Sequence, residues 1–212
     1  MKGLIGDREH HGVSIASRFP FTEVQEVDLH LTRRTSSYPC GALVTTIAGP
    51  VGDVVVVNHG PAWEWWAEAE RELQAVAVAR AVEEQAPDDM APVILGGDLN
   101  AQLTAGSLRF FTGLQTLDAL SVSYQDCWST VHPGELGWTL DPRNPYRAEE
   151  EPQVCLGRTS DYLMLRCGVH GPPWRIADCR LAFDSPSGGV WASDHFGLIA
   201  DFDVEPFADR LH

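Results

Sequence analysis

The feature that most constrains the fold of this sequence is a series of short apolar runs that begin or end at a polar side chain. Runs of four to eight residues rich in Val, Ile and Leu are typical of β-strands. Gly and Pro residues separate these runs, which span residues 12–17, 24–31, 42–48, 53–58, 92–98, 161–166, 174–183 and 196–204. In the last run Leu198 and Ala200 alternate with Ile199 and Asp201, which predicts a sheet covered mainly on one side.

Two helices are predicted among these strands. Residues 63–85 carry apolar side chains at roughly helical spacing, and a proline follows at position 87. A shorter helix is predicted over 105–112, and residues 128–152 are rich in Trp, Gly, Pro and Asn, as in a loop. Strands mixed with a few helices favour an α/β fold, and no repeat or linker divides residues 1–212, so we predict a single domain.

The charge balance limits the classes of partner. Fifteen basic residues against thirty acidic ones give a net charge of −15, which repels a phosphate backbone. Tight non-specific DNA binding is therefore not expected, although Arg33 and Arg34 form a local basic patch. No apolar run approaches the roughly 18 residues of a membrane span, so none is predicted. The oligomeric state is left open.

The cysteines and the first residues bear on the compartment. The five cysteines are scattered, with no Cys-x-x-Cys pair, which favours reduced thiols. They are Cys40, Cys127, Cys155, Cys167 and Cys179. The opening MKGLIGDREHHG lacks the apolar stretch of a secretory signal. We expect a cytoplasmic protein.

Polar side chains stand where several of the apolar runs end or begin. Taken singly, each has a structural interpretation, since Asp after Gly-Gly is a turn residue and a lone His is commonly a hydrogen-bonded structural residue. Together, their oxygen and imidazole groups suit Mg²⁺ or Mn²⁺ and a phosphate, provided that the strands place them at one rim. The candidates are His59, Asp98, Asn100, Asp161, Asp194 and His195.

The motifs that contain these residues resemble a known superfamily. GVSIASRFP, GGDLNA, the DY of RTSDYLML and SDHFGLIADF are similar, in order and spacing, to motifs of the endonuclease/exonuclease/phosphatase superfamily. This superfamily includes metal-dependent phosphodiesterases related to DNase I, and the resemblance runs from about Gly12 to Phe202. NHGPAWEW and HPGELGWT further resemble a bacterial branch. The resemblance implies a four-layer α/β sandwich of two packed, mainly antiparallel sheets flanked by helices.

The resemblance also implies a role for each candidate in the hydrolysis of a phosphoester. Asp98 would be the general base or water-orienting carboxylate, and Asn100 would position that water or a phosphate oxygen. Asp194 would bind Mg²⁺ or Mn²⁺ together with Asp98.

The remaining candidates would act on the phosphate. His195 would donate to a non-bridging oxygen of the phosphate. Asp161 would hydrogen-bond the imidazole of His195, which keeps the ring protonated and oriented. His59 would contact the phosphate.

Two departures from the superfamily pattern stand out. A strand and a Gln-Glu pair, whose Glu binds the metal, normally precede the segment similar to GVSIASRFP, but only eleven residues precede Gly12. We therefore expect the first strand to be missing and magnesium to bind weakly, at about millimolar levels. Asp7 and Glu9 stand on no apolar strand, and Glu26 is predicted to face solvent. Which carboxylate replaces the ligand, and whether the gap is a truncation or a true loss, are left open.

The second departure is Arg158-Thr159-Ser160-Asp161, where the superfamily usually has Arg-Ile-Asp-Tyr. Both departures favour the alternative that the chain is a catalytically impaired homologue acting as a binding domain. The substrate is also open, and nucleic acid, nucleotide, lipid headgroup and sugar phosphate are all considered.

Three further patterns suggest other kinds of site. The tryptophans Trp63, Trp65 and Trp66 could stack on a base or sugar, or pack as anchors at a helix start. A serine hydrolase is disfavoured because the adjacent residues 193–195 cannot point at one another as a triad. A zinc site at His10-His11 lacks a third ligand nearby in sequence.

Overall fold

The computed structural model describes residues 12–36, 39–88, 90–146 and 156–204. Within them we number eight strands and three α-helices. The strands are β1 (Phe21–Asp28), β2 (Gly41–Gly49), β3 (Gly52–Gly60), β4 (Val93–Asp98), β5 (Tyr124–Asp126), β6 (Asp161–Arg166), β7 (Arg175–Ala182) and β8 (Gly197–Asp203). The helices are α1 (Glu68–Gln85), α2 (Gly106–Phe111) and α3 (Cys127–Val131).

The strands form two sheets. The larger has the order β1-β2-β3-β4-β6-β5, and its neighbours are antiparallel except for the parallel pair β3 and β4. A parallel pair needs a crossover connection, and α1 provides it. The smaller sheet is the antiparallel pair β7 and β8.

Alternation along β4 shows how the layers pack. Val93 and Leu95 point into the core beneath α1 and α2, whereas Ile94 joins Ile176 and Leu198 of the smaller sheet on the opposite face. Helix α3 contributes Cys127 to that second cluster. Because both faces of β4 are covered, its run is apolar throughout until the glycines before Asp98. The predicted α/β fold with two packed sheets is confirmed.

Helix α1 begins at Glu68, five residues later than the sequence indicated. The guanidinium of Arg71 explains the late start, because its Nη1 donates to the carbonyls of Ala62 (3.0 Å) and Glu64 (2.8 Å). Those carbonyls are thereby satisfied outside the helix, and the residues between them and Glu68 take a turn conformation.

Three short segments differ from the expectation. The run 12–17 is not a strand, since Ile15 forms only a single bridge. Val13 and Ile15 instead pack against Leu43 on one face of the larger sheet. An apolar run signals burial but does not by itself distinguish packing from strand pairing. The edge strand β5 was not predicted, and α3 begins at Cys127 and runs to Val131, into the region 128–152 that was expected to be a loop.

The structure also bears on the predictions about membrane spans and reduced cysteines. Among the described residues, no helix is long and apolar enough to cross a membrane. The cysteines Cys40, Cys127, Cys167 and Cys179 are free thiols, and Cys155 lies outside the described residues.

Candidate active site

Strand pairing brings two of the predicted carboxylates together. Asp98 is the last residue of β4 and Asp161 is the first residue of β6, and the antiparallel register makes them direct partners. The segment before β8 is held near these carboxylates, because the backbone N–H of Phe196 donates to the carbonyl of Thr139 at 2.7 Å. This bond positions the neighbouring His195 beside Asp98 and Asp161.

The side chains of Asp98, Asp161 and His195 form a compact cluster. One ligand atom from each lies within 4.8 Å of those of the other two. His195 Nδ1 lies 2.9 Å from Asp161 Oδ2 and 3.9 Å from Asp98 Oδ2. On the other side of the ring, Nε2 lies 3.4 Å from Asp194 Oδ2. All four side chains are partly exposed, so solvent and a ligand have access to the cluster.

Burial and neighbouring charges together raise the pKa values of Asp98 and His195. Burial, reinforced by the neighbouring charge of Asp161, raises the pKa of Asp98 to about 6, against the opposing effect of His195. Burial disfavours the charged form of His195, but the hydrogen bond to Asp161 and the surrounding carboxylates outweigh it and raise that pKa to about 9. Near neutral pH the cluster therefore holds an imidazolium beside a carboxylate basic enough to accept a proton.

The Gly-Gly-Asp-Leu-Asn sequence shapes the backbone beside Asp98. Gly97 has a φ of 139°, and a Cβ there would lie 2.3 Å from the carbonyl oxygen of His59, so a side chain is excluded. Asn100 has a φ of 53°, which asparagine tolerates better than most residues. Its N–H donates to Asp98 Oδ1 at 3.0 Å, and its Nδ2 donates to the carbonyl of Pro61 at 3.3 Å.

His59 lies deeper than the other candidates. It lines a cavity of about 200 Å³ together with Asn58, Asp98 and Asn100, but it is only 2% exposed and packs edge-on against Phe111. Burial lowers its pKa to about 3, so the imidazole is neutral at physiological pH. Its predicted contact with a phosphate stays a prediction, and in this structure it would be made by a neutral ring at the floor of the cavity.

Two hydroxyl residues that the sequence analysis did not select support the cluster. Thr139 Oγ1 accepts hydrogen bonds from the N–H groups of Ser160 (3.2 Å) and Asp161 (3.3 Å). Ser160 Oγ donates to Asp161 Oδ2 at 3.0 Å, the same oxygen that faces His195. In the sequence, Ser160 stands out only as a departure from the superfamily pattern. Its position next to Asp161 is the one sequence feature that could have indicated a supporting role.

The grouping of possible metal ligands differs in part from the predicted pair. The described residues that come together are Asp98, Asp161 and His195, whereas Asp194 stands on the Nε2 side of the imidazole. Asp98 belongs to both sets. The oxygen donors and their access to solvent fit a hard divalent cation, which prefers carboxylate ligands. His195 is the poorest ligand of the set, because its Nδ1 is engaged with Asp161 and its protonated form offers no lone pair.

The remaining candidates from the sequence lie outside the cluster. Glu26 is exposed on β1, as predicted. Asp7, Glu9 and His10-His11 lie outside the described residues. A cavity of about 500 Å³, larger than the one beside Asp98, is lined by residues such as Arg166 and by none of the candidates. We place the site at the charged cluster because phosphoester chemistry needs convergent acid, base and cation-binding groups, whatever the cavity size.

Comparison with solved structures finds the same fold in several proteins. The D. rerio TDP2 complexed with single strand DNA product is 19% identical, with a TM-score of 0.64 over 86% of this chain and 68% of that one. The endonuclease/exonuclease/phosphatase from Bacteroides vulgatus is 13% identical, with a TM-score of 0.61 over 88% and 67%. The human Nocturnin catalytic domain with bound sulfate anion is 18% identical, with a TM-score of 0.58 over 88% and 60%.

Sequence comparison gives the family directly. No curated protein matches the chain significantly. The Endonuclease/Exonuclease/phosphatase family, however, matches residues 3–195, which is most of the chain and includes every candidate site residue. The match confirms the resemblance that the sequence motifs indicated, and the chain belongs to the Endonuclease/Exonuclease/phosphatase family.

Proposed function

We propose that this protein hydrolyses a phosphoester bond, in a phosphodiester or phosphomonoester, by in-line attack of an activated water on phosphorus. Family membership supports a phosphoesterase or nuclease type of hydrolase in general. The observation that carries the finer proposal is the cluster of Asp98, Asp161 and His195 within 4.8 Å, open to solvent at one rim of the larger sheet.

Asp98 is the proposed general base. A water oxygen bonds to phosphorus while the bond from phosphorus to the leaving oxygen breaks, and the water proton passes to Asp98. A base works best when its pKa lies near the operating pH, and without a bound cation the pKa of Asp98 is raised to about 6 by burial and by Asp161. Asn100, whose N–H bonds to Asp98 Oδ1, holds that carboxylate and helps to place the water.

His195 is the proposed donor to the phosphate. As an imidazolium it donates to a non-bridging oxygen, where negative charge increases in the transition state. Asp161 accepts from Nδ1 at 2.9 Å and so fixes both the orientation and the charge of the ring. Asp161 is thus a positioning residue, as is Ser160, which donates to the same Asp161 oxygen.

A divalent cation is part of the proposal. Asp98 and Asp194 are the carboxylates that the superfamily resemblance indicates for Mg²⁺ or Mn²⁺; Asp98 belongs to the cluster, and Asp194 stands on the Nε2 side of the His195 imidazole. When bound, the ion would neutralise the anionic ester, which an acidic chain would otherwise repel. Chelation by EDTA is expected to abolish turnover, and added Mg²⁺ or Mn²⁺ to restore it.

The test is hydrolysis of bis-p-nitrophenyl phosphate in Mg²⁺ or Mn²⁺. Asp98→Asn preserves shape but removes the base, so the rate should fall by about 10²- to 10⁴-fold. His195→Ala should lower the rate at least comparably. The control is Arg180→Ala. Arg180 is exposed on the smaller sheet, where its guanidinium bridges Asp178 and Asp201, so the substitution should leave the rate unchanged.

Two results would count against this function. Equal rates in the wild type, Asp98→Asn and His195→Ala would place the turnover in another site or a contaminant. A folded wild-type protein that hydrolyses no phosphoester with either ion would favour the alternative, a binding domain without catalytic activity.

A further inference from the structure

A second cavity adjoins the candidate active site. It has a volume of about 160 Å³, and its lining includes Trp63, Trp65, Arg158 and Ser160. Asn100 lines both this cavity and the one that contains Asp98. A ligand whose phosphate sits at Asp98 therefore has a neighbouring space for its next chemical group.

The tryptophans of this second cavity are exposed. Trp63 is 47% and Trp65 is 58% exposed, whereas a tryptophan that anchors a helix start by packing would be largely buried. The guanidinium of Arg158 lies over the face of the Trp65 ring, 4.2 Å from its centre, so two flat groups are already stacked on each other at the cavity. Flat aromatic and guanidinium surfaces are what nucleobases stack on.

The wall behind the tryptophans is held in place by buried polar contacts. Arg71 is almost fully buried and donates to the carbonyls of Ala62 and Glu64 on either side of Trp63. Glu68 accepts from Arg71 Nε at 2.8 Å and from the N–H of Ser107 at 2.7 Å. A surface fixed in advance loses little conformational entropy when a ligand stacks on it.

Charge favours a stacking ligand over one bound through many phosphates. The protein carries a net charge of −15, which weakens any long-range attraction for a polyanion. Stacking does not depend on that charge, and the side chains of Asn100 and Gln102 at the same cavity offer amide donors and acceptors for the edge of a base.

We propose that the cavity at Trp63 and Trp65 binds the nucleobase of a nucleoside phosphoester whose phosphate lies at Asp98 and His195. The inference rests on the proposed function and narrows its substrate class to nucleotides and their esters. Trp65 is the specificity-determining residue because its ring, with Arg158 against it, forms the stacking surface.

The experiment compares two esters with the same leaving group, thymidine 5′-(p-nitrophenyl phosphate) and methyl p-nitrophenyl phosphate. The variants are Trp65→Ala and a matched control, Trp66→Ala. Trp66 is 53% exposed and lies under Arg34 at 4.1 Å, much as Trp65 lies under Arg158, but it is not part of the cavity lining. Trp65→Ala should lower kcat/KM for the thymidine ester about tenfold, equivalent to about 1.4 kcal/mol.

The methyl ester separates this inference from the proposed function. Trp65→Ala should lower kcat/KM for the methyl ester far less than for the thymidine ester, and Trp66→Ala should leave both esters unaffected. Equal kcat/KM for the two esters, or an equal effect of Trp65→Ala on both, would overturn the nucleobase site while leaving the hydrolase intact.

If neither ester were hydrolysed, the proposed function would be contradicted, but the nucleobase site could still be tested by ligand binding. Calorimetric titration with AMP should show binding that is about tenfold weaker in Trp65→Ala and unchanged in Trp66→Ala. Ribose 5-phosphate, which lacks the base, should bind more weakly than AMP to the wild type. Undetectable AMP binding, or equal binding of AMP and ribose 5-phosphate, would overturn the inference.

Discussion

Thr139 joins the two segments that carry Asp161 and His195, so its substitution tests whether the cluster depends on this support. Its Oγ1 accepts from the N–H groups of Ser160 and Asp161, and its carbonyl accepts from the N–H of Phe196. Thr139→Val keeps the side-chain volume and the carbonyl but removes the hydroxyl. Thr139→Ser keeps the hydroxyl and removes one buried methyl group.

The hydrogen-bond lengths set the expected loss of stability. At 3.2 and 3.3 Å the two bonds are long, and each contributes about 0.5–1.5 kcal/mol net. Thr139 is fully buried, so the Val variant leaves two amides without this acceptor and should lose about 2 kcal/mol of unfolding free energy. Loss of the methyl in the Ser variant costs about 1 kcal/mol.

Urea denaturation and hydrolysis rates provide the assay. Because the first residue of β6 is Asp161, freeing its N–H should let the carboxylate move relative to His195 and lower kcat about ten- to hundredfold in Thr139→Val. Thr139→Ser should retain most of the activity. If the Val variant were as stable and as active as the Ser variant, the hydroxyl would have no such role and the reasoning would be refuted.

Two further predictions concern stability away from the cluster. Arg166 is buried on β6 and donates to the carbonyls of Ala86, Asp88 and Ala91, so Arg166→Met should lower the unfolding free energy by about 3 kcal/mol in urea titrations; a loss below about 1 kcal/mol would refute it. The hydrogen bond from Arg143 lowers the pKa of Asp141, so the folded state binds that proton less readily than the unfolded chain. Wild type should therefore exceed Asp141→Asn in melting temperature at pH 7, and the difference should shrink as the pH falls below about 4; a difference that grew in acid would contradict the sign.

The strand-end candidates could be predicted because a strand's period of two and its flanking residues are local properties. Asp98 follows an apolar run and Asp161 opens one, which marks both as rim residues before any pairing is known. That these two are direct partners is a property of the register between β4 and β6, which no local pattern encodes. The distances from His195 likewise depend on the bond from Phe196 to Thr139, a contact between segments far apart in the chain.

The differences from the sequence predictions come from polar contacts and, for the run containing Ile15, from apolar packing that no local pattern encodes. Arg71 removes the carbonyls of Ala62 and Glu64 from helical bonding, so apolar periodicity alone placed the start of α1 too early. Thr139 and Ser160 act through hydrogen bonds to the backbone and to Asp161, and their side chains in isolation have no distinguishing pattern. The run containing Ile15 packs against the sheet and was misread as a strand of it.

The most direct test of the central claim is the hydrolysis rate of the double variant Asp161→Asn/His195→Ala. If Asp161 acts through the imidazole of His195, each single variant should lose about 10²-fold or more, and the double variant should be no slower than His195→Ala alone. A double variant whose losses multiply would show that the two residues act independently, and undiminished rates in all three variants would contradict the assignment of the active site to this cluster.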